Sequence, residues 1–446
     1  MLAQQGPSRL ALLQRAAVSL DLIARAALVY LRVVLHNRGI WRADPAHLVE
    51  MQHRFARRFV RVATRFKGGL IKLGQVASLR IDVMPPEVTE ELSRLQDRVE
   101  AHPYGEIAAQ VEAELGAPIS ELFDDFSAVP IASASLGQVH RARARDGEEV
   151  AVKVLYPGVE RSVAVDLAMT KFALWFFNFL TVADLMQVYQ ELREALLGEM
   201  DYVREGRAAE EIALNLARDP EVASRVLIPT IRWGTTTRRV LTMQFLEGVR
   251  INDRAALAAQ GRDLSNLVLW TSRAFLHMMF RDGFFHCDPH PGNLLVDAEG
   301  RIIIVDFGMN KRVAAELRAA IRKNVIASVQ RDPDLYAASL LEAGIVRECD
   351  LPAVKEIAKL SFDPEYFNLT PKEVANLDFA EYFGRMRAQM KRIQSFQLPD
   401  GLVMWSRAFS LLYALATELA PGLRPLDVIG PYVLEFLQGE PAARLA

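Results

Sequence analysis

Three oxygen-bearing side chains stand at spacings that suit phosphate chemistry. Asp288 and Asn293 are five residues apart, and Asp306 follows Asp288 by eighteen, at the head of Asp306-Phe307-Gly308. The first two lie in His286-Cys287-Asp288-Pro289-His290-Pro291-Gly292-Asn293. Moving a phosphoryl group off a nucleotide needs a carboxylate near the attacking oxygen, and Asn and Asp oxygens that hold Mg²⁺ against the phosphates. A loop, a short hairpin and a turn would place these three groups around one point. His286, Asp288 and His290 also fit an H-x-D-x-H metal set of a hydrolase. On a helix the two histidines would share a face, but Pro289 and Pro291 disfavour a helix there. That alternative also leaves Asp306-Phe307-Gly308 unexplained.

The elements that must position these groups are readable from the pattern. Protein kinases use H-R-D-x-x-x-x-N, a short hairpin and D-F-G in the same order. Here the hairpin is expected from Asn293–Val296, a turn at Asp297–Gly300, and Ile302–Val305. Upstream, Ser135–Ala144 and Glu149–Leu155 read as strands joined by a turn at Arg145–Gly147. The second strand carries Val150-Ala151-Val152-Lys153-Val154, a match to V-A-I-K, whose Lys binds nucleotide phosphates and pairs with a helix Glu. A lone strand Lys is usually a solvated surface residue; its order relative to Asp288 gives it weight. No G-x-G-x-x-G precedes it, since Ile131–His140 holds one glycine. Pro45 to Gly116 reads as helical, Val159 to about Leu214 as helix-rich, and Val226–Trp233 and Arg239–Phe245 as strands. After Gly248 the chain reads as helical apart from the hairpin.

The chain has 446 residues, enough for two or three domains. With 51% hydrophobic and 24% charged residues it buries a sizeable core, and its net charge of −2 carries no nucleic-acid signature. The two cysteines, Cys287 and Cys349, are far apart, which excludes a disulfide scaffold or zinc ribbon. Charge is uneven: residues 1–66 hold eleven Arg and three acids, a net of +8. Leu10–Leu35 has the period of an amphipathic helix. Gln14, Arg15, Ser19, Asp21, Arg25, Arg32 and His36 share one face; Leu13, Ala17, Leu20, Ala24, Leu28, Leu31 and Val34 share the other. Its charges argue against a transmembrane span, and its length and charge against a secretory signal. A helix packed on the protein's own core and a helix lying on a membrane both fit.

Ile131-Ala132-Ser133-Ala134-Ser135-Leu136-Gly137-Gln138-Val139-His140 makes the resemblance specific. The chain resembles the UbiB/AarF family of atypical kinases, whose alanine-rich loop replaces the glycine-rich one. Lys72-Leu73-Gly74-Gln75 is similar to that family's KxGQ signature, with Arg80, Pro85 and Leu92–Asp97 as its usual context. Glu199-Met200-Asp201 resembles the ExD motif, and Glu205, taken on the same helix and face as Asp201, matches the αC glutamate. His286–Asn293 reproduces the HxDxHPGN catalytic loop, and the likeness runs from about Phe66 to Ala420. Three positions depart from the family pattern. Ala208 replaces a frequent Asn, Gln244 replaces a hinge Glu, and Asn310-Lys311-Arg312 leads straight to a helix with no A-P-E segment. Without a long activation segment to dock a peptide, protein phosphorylation is disfavoured.

The resemblance implies an α+β, bilobal protein-kinase-like fold with a helical N-terminal extension. Its divisions would be residues 1–125 with KxGQ, 126–247 as the N-lobe, and 248–446 as the helical C-lobe. It implies an Mg²⁺-dependent ATPase or phosphotransferase tied to quinone or lipid metabolism. Lys153 would hold phosphates, Glu205 would orient Lys153, and Asp288 would position or deprotonate the nucleophile. Asn293 and Asp306 would bind metal. Ala132, Ser133, Ala134, Ser135, Met243, Phe245, Glu199 and Asp201 would line the nucleotide site, with Lys72 and Gln75 as a built-in gate over it. Cofactors are ATP and Mg²⁺. Expected partners are ATP, a quinone precursor or lipid, an anionic membrane surface and a second copy as homodimer, but no nucleic acid. The expected location is cytoplasmic, peripheral on the inner membrane face. Two alternatives stay open: a nucleotide-binding scaffold without phosphotransfer, and a kinase acting on a protein or small molecule.

Overall fold

The computed structural model describes residues 6–41, 43–77, 88, 91–92, 101–178, 185–363, 367–374, 386, 389–390, 392–393, 395 and 399–438. Arg80, Pro85, residues 93–97 and the side chain of Gln75 lie outside the described residues. Two compact units form, Met1–Gly206 with Thr230–Phe245, and Arg207–Pro229 with Leu246–Ala446.

The first unit opens with α1 (Arg9–Asn37), whose N-cap Ser8 accepts from the Ala11 N–H at 3.2 Å. Asp44 caps α2 (Pro45–Phe66), with proline in the first turn where its missing N–H costs nothing. Lys67 (φ 53°) and Gly68 (φ 66°) stop α2 and redirect the chain into α3 (Gly69–Ala77). α4 (Tyr104–Leu115) ends on a left-handed Gly116. Then come β1 (Phe123–Ser133), β2 (Gly137–Ala144) and β3 (Glu149–Leu155), followed by α5 (Val159–Asn178) and α6 (Leu185–Glu199). α7 (Tyr202–Leu216) leads out of the unit, past β4 (Val226–Leu227) of the second unit. The chain returns to place β5 (Val240–Gln244), completing an antiparallel sheet in the order β1-β2-β3-β5.

β2 and β3 fall where alternation predicts them, but β1 escapes a period-2 search. Its register shifts three times between Phe123 and Ala132, and it carries Pro130, which an edge strand tolerates. The expected strand Val226–Trp233 shrinks to Val226–Leu227 plus a single bridge from Ile231 to Met243.

α1 buries only part of its predicted polar face, leaving Gln14, Arg25 and Arg32 exposed. Arg15 and Ser19 are buried with Leu22, while Leu13 (67%), Leu20 (48%), Leu28 (55%) and Leu31 (51%) stay exposed. The cause is Asp166 on α5, which receives the Arg15 guanidinium, while Arg15 also donates to the carbonyls of Phe66 and Lys67. Burying the leucines on the protein's own core is therefore the reading that fails. No described helix is long and apolar enough to cross a membrane.

In the second unit, β6 (Val249–Arg250) is followed by α8 (Leu264–His277), capped by Asp263 and buried at Leu267, Val268, Phe275 and Leu276. One π turn, Met278–Asp282, prolongs α8 to a left-handed Gly283. β7 (Phe284–His286), β8 (Leu294–Val296), β9 (Ile302–Ile304) and β10 (Asn310–Arg312) follow. β8 and β9 are the predicted hairpin, set in a sheet ordered β4-β9-β8-β6. The β7–β10 ladder and β6 correct the expectation that this region is otherwise helical. Two- and three-residue strands are too short to show alternation. The rest is helical among the described residues, chiefly α9 (Ala315–Gln330), α10 (Pro333–Glu342), α11 (Leu351–Ser361), α12 (Asp400–Leu419) and α13 (Pro425–Gln438). Trp405 of α12 meets Phe280 and Phe285 edge-on, at 5.2 and 6.0 Å between ring centroids, fixing α12 beside β7.

Candidate active site

In the first unit the candidate phosphate-binding lysine sits in mid-sheet. Lys153 lies between Val139 of β2 and Leu241 of β5, while its neighbours Val152 and Val154 are fully buried on the opposite face. Its Nζ donates to Glu205 Oε1 at 2.7 Å and stands 5.3 Å from the centre of the Tyr202 ring. Both partners are largely shielded from water, Glu205 being 3% exposed. A buried charge needs its partner, so Glu205 pins the lysine side chain as the sequence pattern predicted.

The ExD segment differs from expectation in its backbone. Glu199 ends α6, and Asp201 stands before α7 rather than on one helix with Glu205. The Asp201 side chain accepts from the Arg204 N–H at 3.2 Å, as capping residues do. Its carbonyl accepts from the Glu205 N–H at 3.1 Å. Asp201 also faces Arg238 at 3.4 Å. Glu199 instead pairs with Lys72 of α3. That contact joins the KxGQ helix to the end of α6, which spacing alone cannot reveal.

The alanine-rich segment is a tight hairpin connection. Ala132 and Ser133 close β1 against Val139 and Gln138. The Ala134 N–H donates to the Gly137 carbonyl at 2.8 Å, and Tyr156 Oη donates to the Ala134 carbonyl at 3.1 Å. The Gly68 N–H reaches the Ser135 carbonyl at 3.1 Å, tying the start of α3 to this turn. Gly137 has a steric reason: an added Cβ would strike the Val154 carbonyl and lie 2.7 Å from Tyr202 Oη. Burial pushes the Tyr156 phenol up to about 12, so it stays a donor at neutral pH. At the sheet's other end Met243 is buried opposite Ala151. The Gln244 and Phe245 N–H groups already donate to Thr230 and Glu149, at 2.8 and 2.9 Å.

In the second unit the catalytic-loop candidates are drawn together by His286. Its Nδ1 accepts from the Asp288 N–H at 2.9 Å, so the ring proton belongs on Nε2. The ring also meets the Phe307 ring edge-on, 5.6 Å between centroids, linking the loop to the Asp-Phe-Gly turn. Full burial holds the imidazole below its ordinary range, in the neutral form this role requires. His290 Nδ1 accepts from the Gly292 N–H at 3.1 Å and caps the turn Pro291–Asn293. Because Nδ1 of each histidine accepts from a backbone N–H, Nε2 carries the ring proton and has no lone pair to offer a metal, so the H-x-D-x-H metal reading loses its support. Among the described residues no group of three or more His, Cys, Asp or Glu side chains is disposed to hold a metal ion.

Asn293 Nδ2 donates to the Asp288 carbonyl at 3.1 Å, which directs its oxygen the other way. The Val305 N–H donates to the Asn293 carbonyl at 3.1 Å, clamping the loop to the strand before Asp306. Asp306 Oδ1 accepts from the Gly308 N–H at 2.9 Å, an Asx turn that orients its carboxylate. Amide and carboxylate oxygens are hard donors suited to Mg²⁺ rather than to a soft metal. Burial pushes the Cys287 thiol up to about 12, so it is an inert packing residue. The sequence did not single out Arg407, whose Nη2 donates to Asp288 Oδ1 at 2.8 Å from 119 residues away. No local spacing announces such a contact.

Comparison with known proteins gives the family. Residues 94–340 match the model of the ABC1 atypical kinase-like domain. An uncharacterized Synechocystis protein, sll1770, is 33% identical over 373 residues, covering 82% of this chain and 62% of that protein. The Arabidopsis thaliana chloroplastic protein ACTIVITY OF BC1 COMPLEX KINASE 7 is 34% identical over 371 residues, covering 82% of this chain and 52% of that protein. The chain thus spans about half to two thirds of the length of these relatives. The Mycobacterium tuberculosis protein Rv3197, solved in complex with erythromycin, superposes with a TM-score of 0.56 at 25% identity, over 83% of this chain and 93% of that one. With more than half of its length matched by the family model, the chain belongs to the ABC1 atypical kinase-like family.

Proposed function

We propose that the chain binds Mg-ATP and cleaves its γ-phosphate, by hydrolysis or by transfer to an acceptor, in quinone or lipid metabolism at a membrane. The observation that carries this reading is the Lys153–Glu205 ion pair at 2.7 Å. A shielded ammonium held by a buried carboxylate is a ready phosphate clamp, and a scaffold that only binds nucleotide would have little need of Asp288 and Asp306 in addition. Lys153 would grip the nucleotide phosphates while Glu205 keeps its Nζ in one position. Asn293 and Asp306 would hold Mg²⁺, which supplies charge neutralisation of the phosphates. Asp288 would take the proton of the attacking hydroxyl or water as its oxygen bonds to phosphorus and the bond to the β-phosphate oxygen breaks, the electron pair leaving with ADP. Lys72, paired to Glu199, would act as a gate over the nucleotide, and the Ala134 turn would limit how closely the backbone wraps the phosphates.

The membrane part of the proposal is supported by the exposed leucines of α1 and by a +8 charge over residues 1–66. On the neighbouring α5, Phe172 (45%), Trp175 (51%) and Phe176 (41%) are exposed as well. Apolar side chains with nearby arginines suit an anionic lipid surface. The experiment is Mg²⁺-dependent phosphate release by the full chain, with and without vesicles containing anionic lipid, for wild type and for Leu13→Glu/Leu20→Glu/Leu28→Glu. Wild type should turn over ATP and sediment with vesicles at low salt, and the triple variant should lose sedimentation but keep basal turnover. No turnover removes the enzymatic reading, and equal sedimentation of both proteins removes the membrane reading.

A further inference from the structure

The loop from His286 to Asn293 contains no Lys or Arg, yet a guanidinium stands against its aspartate. Arg407 lies on α12, beyond residues 94–340 that match the family model. Its neighbours Trp405 and Ala408 are buried at 7% and 0% exposure, and Trp405 packs on Phe285 next to the loop. The arginine side chain is 18% exposed and that of Asp288 22%. Arg407 Nε is buried without a hydrogen-bond partner among the described residues. Surface ion pairs are loosely held and contribute little. A shielded pair delivered by a packed helix is a different object, because the backbone beneath it is fixed by core contacts.

We propose that Arg407 is a positioning residue for phosphoryl transfer: it holds the Asp288 carboxylate in one rotamer and so sets the direction in which it faces the attacking oxygen. This rests on the Mg-ATP turnover proposed above. The acceptor proton passes to Asp288, the acceptor oxygen bonds to phosphorus, and the bond to ADP breaks with its electron pair. Arg407 makes no contact with phosphate in this scheme. It acts through Asp288, so its loss should slow the chemical step without weakening nucleotide binding.

The test is steady-state phosphate release by the full chain as wild type, Arg407→Met, Arg407→Lys, Asp288→Asn and the Arg407→Met/Asp288→Asn double variant, with melting curves for each. A misaligned catalytic group costs on the order of 100-fold. Arg407→Met should lower kcat by about 10- to 100-fold with KM for Mg-ATP unchanged within about twofold, and Arg407→Lys should recover part of that loss. The double variant should be no slower than Asp288→Asn, since the arginine has nothing left to position. Multiplicative losses in the double variant, full activity of Arg407→Met, or a loss confined to KM each overturn the proposal. If Arg407→Met fails to fold, the same cycle is run with Arg407→Lys, where additivity again overturns it. Wild type that binds Mg-ATP without releasing phosphate overturns the functional reading and this role with it, whereas active wild type with multiplicative variants overturns this role alone.

Discussion

Arg15 and Asp166, separated by 151 residues, form a two-point ion pair in which Nε and Nη2 each reach a carboxylate oxygen at 2.5 Å. Arg15 is 5% exposed and Asp166 is fully buried. The pair locks α1 to α5 and, through the Phe66 and Lys67 carbonyls, to the junction of α2 and α3. Burial pushes the Asp166 carboxyl up, and the guanidinium opposes that shift.

Removing one partner leaves an uncompensated buried charge, which typically costs about 3–5 kcal/mol. Asp166→Ala should therefore destabilise the first unit by that order, while Arg15→Met/Asp166→Leu should recover most of the loss. Denaturant unfolding of the full chain checks this. A single variant as stable as wild type would show that the pair contributes nothing.

Asp306→Asn should abolish Mg²⁺-dependent turnover and weaken Mg-ATP binding. An amide keeps the Asx hydrogen bond to the Gly308 N–H but loses the negative charge that would attract Mg²⁺. Calorimetric titration with and without Mg²⁺ measures it, and unchanged magnesium dependence would contradict the assignment of Asp306.

Glu205→Gln should lower turnover by about 10- to 100-fold by releasing Lys153, which then samples other rotamers. The variant also leaves the shielded Lys153 charge without its partner, so the melting temperature should fall as well, and Lys153→Met/Glu205→Gln should recover stability without recovering turnover. Phosphate-release kinetics beside a melting curve separates the two effects.

Ala134→Gly should strengthen ATP binding and change activity, because glycine frees a turn now held by bonds to Gly137 and Tyr156 to wrap the phosphates more closely. Titration with ATP and ADP is the measurement. Identical affinities in variant and wild type would mean that this turn is no nucleotide lid.

In the second unit, burial pushes the Asp282 carboxyl up to about 7 and the His277 imidazole down to about 4. A raised carboxyl means that the folded chain holds a proton the unfolded chain has lost. Its contribution to stability therefore falls as pH rises from about 4 to about 7. The lowered histidine acts oppositely, costing stability as pH falls from about 6.5 to about 4. Asp282→Asn removes the first effect only, so the variant should gain on wild type between pH 5 and pH 8 by on the order of 1–3 kcal/mol. Denaturation at those two pH values checks the sign.

The placement of the candidate residues on their elements was legible because their relations are local. Asp288, Asn293 and Asp306 sit on one loop, one hairpin and one turn, and Lys153 lies on a strand whose alternation is plain. Such patterns depend on backbone period and turn chemistry, which the chain carries within a few residues. What α1 buries was not legible. Periodicity separates its leucine stripe from its polar stripe but cannot say which one faces the core, and Asp166 on α5 decides that. The Lys72–Glu199 and Arg407–Asp288 pairs belong to the same class, since each joins side chains more than a hundred residues apart. β1 stayed hidden because its bulges break the alternation, and β7 and β10 because three residues make no pattern. Sequence determines which residues can do the chemistry; packing decides which charges meet, because complementarity across distant segments leaves no period to read.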